Sequence, residues 1–375
     1  MIAPMPVPLA ATTGKPSMLL ITARYAHHGA HSGLEPLHAI LEQNFAVDVA
    51  KPSRTAKAAL ALDRFSHLIP RLMGQPPQQA GWSPYYTPSA SLVEGAAIRQ
   101  ARQKRYDVVF CESIEKFHDR LGLIKQAHPG CRLVGMVHQP PSWWRLNAIS
   151  AGVLDDFDAV IALSRQSRDH VERELGVRSV AFVNHGVDVT YFRPPEADRA
   201  IQDGFDICVV GDWLRDFDLV AQTIERTSAE TPSFRWHLVL PTAARTTDAH
   251  YRAARYNNVR WYSNISDEAL LALYHRCHAM FLPLIDATAN NAMMEALSCA
   301  LPIIVSDVGG VRDYAGEYVD YVGTRDPADV IASLRACVAD YPAKRLRAAA
   351  GREHARTHLA WTKVGLQMAA IAKSL

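Results

Sequence analysis

The chain has 375 residues, 49% of them hydrophobic and 21% charged, a balance that excludes a disordered tail, a collagen-like repeat and a disulfide miniprotein. At roughly 150 residues per domain this length accommodates two to three domains, each large enough to bury its own core. The net charge of +2 is divided unevenly, because residues 1–195 carry +5 and ten of the sixteen histidines while the remainder carries −3. That asymmetry suits an anionic partner or a lipid surface for the first half and falls short of the strongly basic domain that nucleic-acid binding requires.

The six cysteines form no C-x-x-C pair and most lie in or beside apolar runs, as reduced, buried thiols of a cytoplasmic protein do. No run of about 18 apolar residues is present to span a membrane. Residues 1–15 lack a charged region before an apolar core and read as a flexible lead-in rather than a signal peptide.

In the first half, short apolar runs predict strands at 18–25, 46–50, 107–111, 133–138, 159–163 and 180–184. Several are continuously apolar, as strands buried on both faces are. Helical patterns near 34–44, 89–104, 114–127 and 164–175 alternate with them, which is the rhythm of a parallel, doubly wound sheet. Residues 66–90 lack periodicity and are rich in Pro, Gln and aromatics, so they read as a functional loop. Arg193-Pro194-Pro195 then interrupts the pattern, since proline supplies no backbone donor to helix or ladder. The rhythm restarts with strands at 207–211, 236–240, 259–262, 280–284 and 303–305, and helices at 216–229, 266–276, 291–299, 327–339 and 344–357. The expected architecture is α/β, with two Rossmann-like domains at 1–193 and 194–359 and an interdomain cleft.

Chemistry concentrates at predicted strand ends. After the 280–284 strand, a polar loop leads to a helix opening at Asn290-Asn291, and a helix N-terminus in that position is a ready anion site. Glu295 lies one turn inside it. The turn Ser306-Asp307-Val308-Gly309-Gly310 faces the same crevice. In the first half, the stretch from Arg24 to Gly33 follows the first strand, and its glycines let backbone amides approach a phosphate. The spacing His27-His28-x-x-His31 in that stretch also reads as a metal cluster, without a supporting acid pattern. His138 ends the fourth strand. Trp143-Trp144-Arg145 follow it; packing is the plainer reading, but two adjacent tryptophans in a loop are not easily both buried, so they offer a stacking surface or a membrane contact. Asp156-Phe157-Asp158 spells a D-x-D metal motif, but the buried strand that follows makes these acids the close of a helix and loop.

Taken together, Asn184-His185-Gly186-Val187-Asp188 with Tyr191-Phe192-Arg193-Pro194, the SDEALLALY helix at 266–274, the MMEALSCALPIIVSD run at 293–307 and its closing Gly309-Gly310 resemble the retaining GT-B glycosyltransferases of the family 4 type, also described as glycosyl transferases group 1. The resemblance implies a nucleotide-sugar donor, a UDP- or GDP-sugar, held by the second domain as substrate, with no further cofactor and no metal. It implies that Glu295 holds the ribose hydroxyls, that Ile265 meets the base with its backbone, and that His138 lies by the donor sugar. The family's other glutamate should stand at 287, where this chain has Ala287, so Asp286, Asn290 and Asn291 are the candidates for the sugar; the two asparagines read equally well as a helix cap. The diphosphate-gripping arginine and lysine that normally follow Gly211 are replaced by Asp212 and Phe217, which leaves Arg215 and the Gly33 loop for the phosphates; a helix-surface arginine is the plainer reading of Arg215.

The first half, through His28, Trp143 and Arg145, would bind the acceptor, which the resemblance allows to be a glycan, a lipid-linked glycan or a small molecule of polysaccharide or glycoconjugate biosynthesis. The implied setting is the cytoplasm, with peripheral contact at the inner face of the membrane. In the family's front-face reaction the departing phosphate helps to take the acceptor proton. The terminal amphipathic helix at 360–375 is expected to return to the first domain. Two rivals remain: a degenerate nucleotide-sugar-binding subunit and a GT-B-fold nucleotide-sugar epimerase.

Overall fold

The computed structural model describes residues 14–22, 29–51, 83–197, 201, 204–230 and 233–375. Six strands of the first half, β1 (Ser17–Ile21), β2 (Ala46–Val49), β3 (Val108–Cys111), β4 (Arg132–Val137), β5 (Ala159–Ala162) and β6 (Val180–Phe182), form one parallel sheet in the order β2-β1-β3-β4-β5-β6. The VVFC of β3 and the AVIA of β5 are buried throughout, as strands covered by helices on both faces must be. The second half repeats the plan with β7 (Phe205–Val210), β8 (Phe234–Val239), β9 (Val259–Tyr262), β10 (Ala279–Leu282), β11 (Ile303–Ser306) and β12 (Asp320–Val322), in the order β12-β11-β10-β7-β8-β9.

The two-domain α/β architecture expected from the sequence is therefore the one observed. Strand order reverses between β1 and β3 in one sheet and between β7 and β10 in the other. The loops leaving those strands are where such sheets open a ligand crevice.

Helix starts follow local chemistry. The side chains of Thr87, Ser164, Ser266 and Asn290 each accept a backbone N–H of the first turn they precede, filling a donor that the helix leaves unpaired. Several extents differ from expectation. The first strand stops at Ile21, and the 114–127 helix shrinks to Gly122–Ala127 because 113–117 are taken up by tight turns. The helix expected at 164–175 is present, α-helical over Arg165–Asp169 and continuing as a wider π-helical stretch over His170–Glu174. Of the 66–90 loop, 66–82 lie outside the described residues, and a helix opens at Pro88.

The last helix, Trp361–Lys373, lies on the helix Glu35–Asn44 of the first domain and shares its apolar cluster. The chain enters it beside the segment that links the sheets, where Val187 N–H donates to Leu359 O at 2.8 Å. Gly186 permits the crossing, because a Cβ there would lie 2.3 Å from the Trp361 ring.

At the far end of the second sheet, buried Asp206 accepts from Arg235 Nε at 2.9 Å and lies 2.7 Å from His237 Nε2. Burial pushes this carboxyl up, but the His237 and Arg235 contacts outweigh it and hold it well below the usual carboxylate range. That cluster ties β7 to β8 and is remote in the sheet from the crevice.

Candidate active site at the interdomain cleft

Two loops meet at the switch point of the second sheet. The loop after β7 and the loop after β10 are joined by Asp216 N–H to Pro283 O at 3.1 Å and Ile285 N–H to Leu214 O at 3.0 Å. Gly211, with φ of 86°, turns the chain out of β7. Arg215 then folds back: its Nε and Nη2 donate to Val210 O at 3.1 and 2.8 Å and its Nη1 to Trp213 O at 3.0 Å. Its Nη2 also reaches Asn290 Oδ1 at 3.4 Å. Burial lowers this guanidinium to about 10, which leaves it charged at neutral pH. Arg215 is thus not the plain helix-surface arginine that was its alternative reading. It braces the loop and places positive charge at the cap of the helix Asn291–Ser298, with an Nη1 hydrogen outside these contacts. The positions expected for the family's two cations hold exposed Asp212 and buried Phe217.

Asn290 Oδ1 accepts Met293 N–H at 3.1 Å, so of the two readings left open for this residue the cap is the one seen. Asn291, the first residue of the helix, lines a small pocket with Glu295, Ser32, Gly33, Val187 and Trp361. Ala287 is 5% exposed, and both its backbone groups are taken: its N–H donates to Asp286 Oδ1 at 2.7 Å and its carbonyl accepts Gly310 N–H at 2.8 Å. Gly309, with φ of 53°, makes that contact possible, because a Cβ there would come within 2.2 Å of Ala287 O. Asp286 Oδ2 accepts the Ser142 hydroxyl from across the cleft. The carboxylate adjacent to position 287 is therefore present, and it faces the first domain.

Glu295 is 4% exposed at the cleft floor. Its Oε1 accepts the Ser32 hydroxyl at 3.1 Å and its Oε2 the Tyr274 hydroxyl at 2.8 Å. Burial raises this carboxyl to about 7, more than the two hydroxyl donors lower it. Gly33, with φ of 69°, is buried at the end of the loop that delivers Ser32. That loop docks on the second domain through His31: its N–H donates to Asp267 Oδ2 at 3.1 Å, its Nδ1 lies 2.8 Å from Asp188 Oδ2, and its ring stacks on Tyr191 at 3.6 Å. Ser32, Tyr274, His31 and Asp188 are contacts that sequence reasoning missed. The sequence marks His31, Asp188 and the 266–274 helix, but nothing in it indicates that these residues meet. Ile265 is half-buried beside Asn264, whose φ of 53° turns the chain after β9.

On the opposite wall, His138 directly follows β4. Its Nε2 lies 2.6 Å from Glu112 O, and its N–H donates to Glu115 Oε1 at 2.6 Å. A carbonyl only accepts, so Nε2 is the donor of that hydrogen bond. Buried Glu112 in turn meets His38 Nε2 at 2.5 Å.

The expectation for the two tryptophans is overturned. Trp143 and Trp144 are 6% and 2% exposed, because Pro140-Pro141 starts a short helix (Pro141–Leu146) that turns both indoles inward. Trp143 stacks on Tyr85 with ring centroids 5.0 Å apart. Arg145 is exposed and paired with Glu174 at 2.5 Å, away from the cleft contacts. His28 and the rest of the His27-His28 pair lie outside the described residues. The D-x-D acids close a loop as expected, with Asp156 accepting Gly122 N–H at 3.0 Å and Asp158 accepting Leu133 N–H at 2.8 Å. Among the described residues, no group of three or more His, Cys, Asp or Glu is arranged to hold a metal ion, and no helix is long and apolar enough to cross a membrane.

Comparison with known proteins agrees with this geometry. Residues 37–191 match the model of Glycosyltransferase Family 4, and residues 204–340 match that of glycosyl transferases group 1. The gpi3 subunit of phosphatidylinositol N-acetylglucosaminyltransferase from Schizosaccharomyces pombe is 20% identical over 58% of this chain and 49% of its own length. The D-inositol 3-phosphate glycosyltransferase of Streptomyces bingchenggensis is 25% identical over 55% of this chain and 50% of its own. The matches thus span about half the length of these curated relatives. Among solved structures, sucrose-phosphate synthase from Thermosynechococcus elongatus superposes with a TM-score of 0.70 at 16% identity, covering 96% of this chain and 99% of that one. Anabaena HepE in complex with UDP and glucose superposes with a TM-score of 0.65 at 15% identity, covering 96% and 100%. With one of these family domains on each of two switch-point sheets, the chain belongs to the GT-B glycosyltransferases.

Proposed function

We propose that the chain transfers a sugar, with retention of anomeric configuration, from a UDP- or GDP-sugar to a glycan, lipid-linked glycan or small-molecule acceptor. The observation that carries the reading is Glu295. It is a buried carboxylate one turn inside a helix N-terminus at a switch point, with the Arg215 guanidinium at that helix's cap. This combination suits a nucleoside diphosphate: hydroxyls for the carboxylate, phosphates for the cation and the helix amides.

In this reading Glu295 exchanges the Ser32 hydroxyl for those of the ribose. Arg215, Gly211, Asn291 and the Gly33 loop face the diphosphate, and the backbone at Ile265 faces the base. His138 Nδ1 and Asp286 lie toward the transferred sugar. The protein's work is then to orient the reactants and to stabilise charge on the departing phosphate, one oxygen of which takes the acceptor proton. The +5 charge of residues 1–195 suits an acceptor that bears phosphate or sits at an anionic membrane face.

The test is release of nucleoside diphosphate from a panel of UDP- and GDP-sugars. Turnover with one donor, reduced roughly 10- to 100-fold in Glu295→Ala, is expected for loss of hydrogen bonds to a charged group. Ala287 and Phe217 favour a second reading, a subunit that binds the nucleotide-sugar without reacting it. Binding without turnover of any donor would favour that second reading.

A further inference from the structure

We propose that Trp213 and Gln139, which face each other across the cleft mouth, form a subsite for a pyranose ring, so that the acceptor is a carbohydrate. Calling the bound saccharide an acceptor rests on the reading above; the subsite itself rests on the following geometry. Trp143, Trp144, Trp236 and Trp361 are at most 6% exposed, whereas Trp213 is 51% exposed. The turn that carries it is nevertheless held by two hydrogen bonds. Arg215 Nη1 donates to Trp213 O at 3.0 Å, and Leu214 O accepts Ile285 N–H at 3.0 Å. Leu214 adopts a φ of 55°, a conformation that costs an L-residue about 1–2 kcal/mol. A strained, doubly pinned loop thus presents a large apolar ring to solvent.

The indole Nε1 donates to Gln139 Oε1 at 3.2 Å, directly after His138 in the opposite domain. The Tyr85 ring stands 6.1 Å from it. Asp286 and Ser142 span the cleft through their own hydrogen bond. An apolar ring face edged by a planar amide, with a carboxylate and a hydroxyl on the neighbouring loops, matches a sugar, which has an apolar C–H face and a rim of hydroxyls. An acyl chain offers those polar groups no hydrogen bond, whereas sugar hydroxyls can join both pairs. Trp213 thereby supplies the stacking surface that the buried Trp143 cannot.

The experiment uses the full chain, with and without UDP, and measures saturation-transfer NMR titrations of maltose, cellobiose, N,N′-diacetylchitobiose and methyl α-mannoside. At least one of them is expected to bind. Its affinity should fall at least ~10-fold in Trp213→Ala and stay within ~3-fold in Trp213→Phe, as loss and retention of an aromatic face require. The rise in melting temperature with UDP or GDP, whichever the wild type binds, should persist in Trp213→Ala, which shows that the variant is folded and its nucleotide site intact. Equal saccharide binding by wild type and Trp213→Ala, or no binding of any of the four, overturns the subsite. Trp213-dependent saccharide binding without any response to nucleotides leaves the subsite standing and removes the donor reading.

Discussion

The two ends of the cleft use the same pair of groups, a carboxylate of the second domain and a serine hydroxyl of the first. At the floor it is Glu295 and Ser32; at the mouth it is Asp286 and Ser142. The difference lies in solvent. Glu295 and Ser32 are 4% and 9% exposed, while at the mouth Ser142 is exposed and Asp286 only half-buried. Burial at the floor raises the Glu295 carboxyl to about 7 and fixes both partners. At the mouth, water or a substrate hydroxyl can replace either partner at little cost. The floor is therefore suited to one invariant piece of a ligand and the mouth to a variable one.

The largest effect should come from Gly309, whose turn keeps the 286–288 loop in place. Gly309→Val forces a branched side chain into a left-handed position and against Ala287 O. It should cost about 3 kcal/mol or more, and should displace Asp286 from Ser142. Chemical denaturation compared with Gly14→Val, at a site with open space around it, checks this.

Next in size is the pH dependence that the buried floor carboxylate confers. Glu295 has a folded value near 7 against an ordinary 4.5, so the folded state holds a proton that the unfolded chain has already lost. Its contribution is fully present below about 4.5 and is lost as pH rises to about 7, a swing on the order of 3 kcal/mol. Glu295→Gln cannot titrate, so its stability relative to wild type should climb through that window and level off above it. A difference that stays flat between pH 5 and pH 8 contradicts the buried assignment.

Smaller still is the pair Ser32→Ala and Ser142→Ala. The first removes a donor from a buried carboxylate and should destabilise the unliganded protein by about 1–2 kcal/mol. The second opens a solvated contact and should cost roughly 0.5 kcal/mol or less. Equal effects would erase the distinction between floor and mouth.

What could be read from the sequence follows from the range of the forces involved. Continuous apolar runs such as 108–111 and 159–162 announce buried strands because burial on two faces leaves no polar register. β12 escaped because its three residues, Asp320–Val322, are too few and too polar. Glu295 was legible from its helix and the run that follows it. Its partners were not, because Ser32 is 263 residues away and the contact is set by how the domains meet. Trp143 and Trp144 were misread for a local reason: the prolines at 140 and 141 start a helix, and three of its six residues bury. Trp213 drew no attention because nothing local distinguishes a presented indole from a packed one. Its meaning came from Gln139, in the loop after β4 of the other domain.

The central claim is that the buried Glu295 floor is a nucleotide site. The direct measurement is the melting temperature of the full chain with UDP and with GDP, for wild type and Glu295→Ala. At 100 times the dissociation constant, a ligand specific to the native state stabilises it by about 2.7 kcal/mol. The account predicts a rise of several degrees with one of the two nucleotides in wild type and its loss in a still-folded Glu295→Ala. Equal rises in both proteins, or none with either nucleotide, would contradict it.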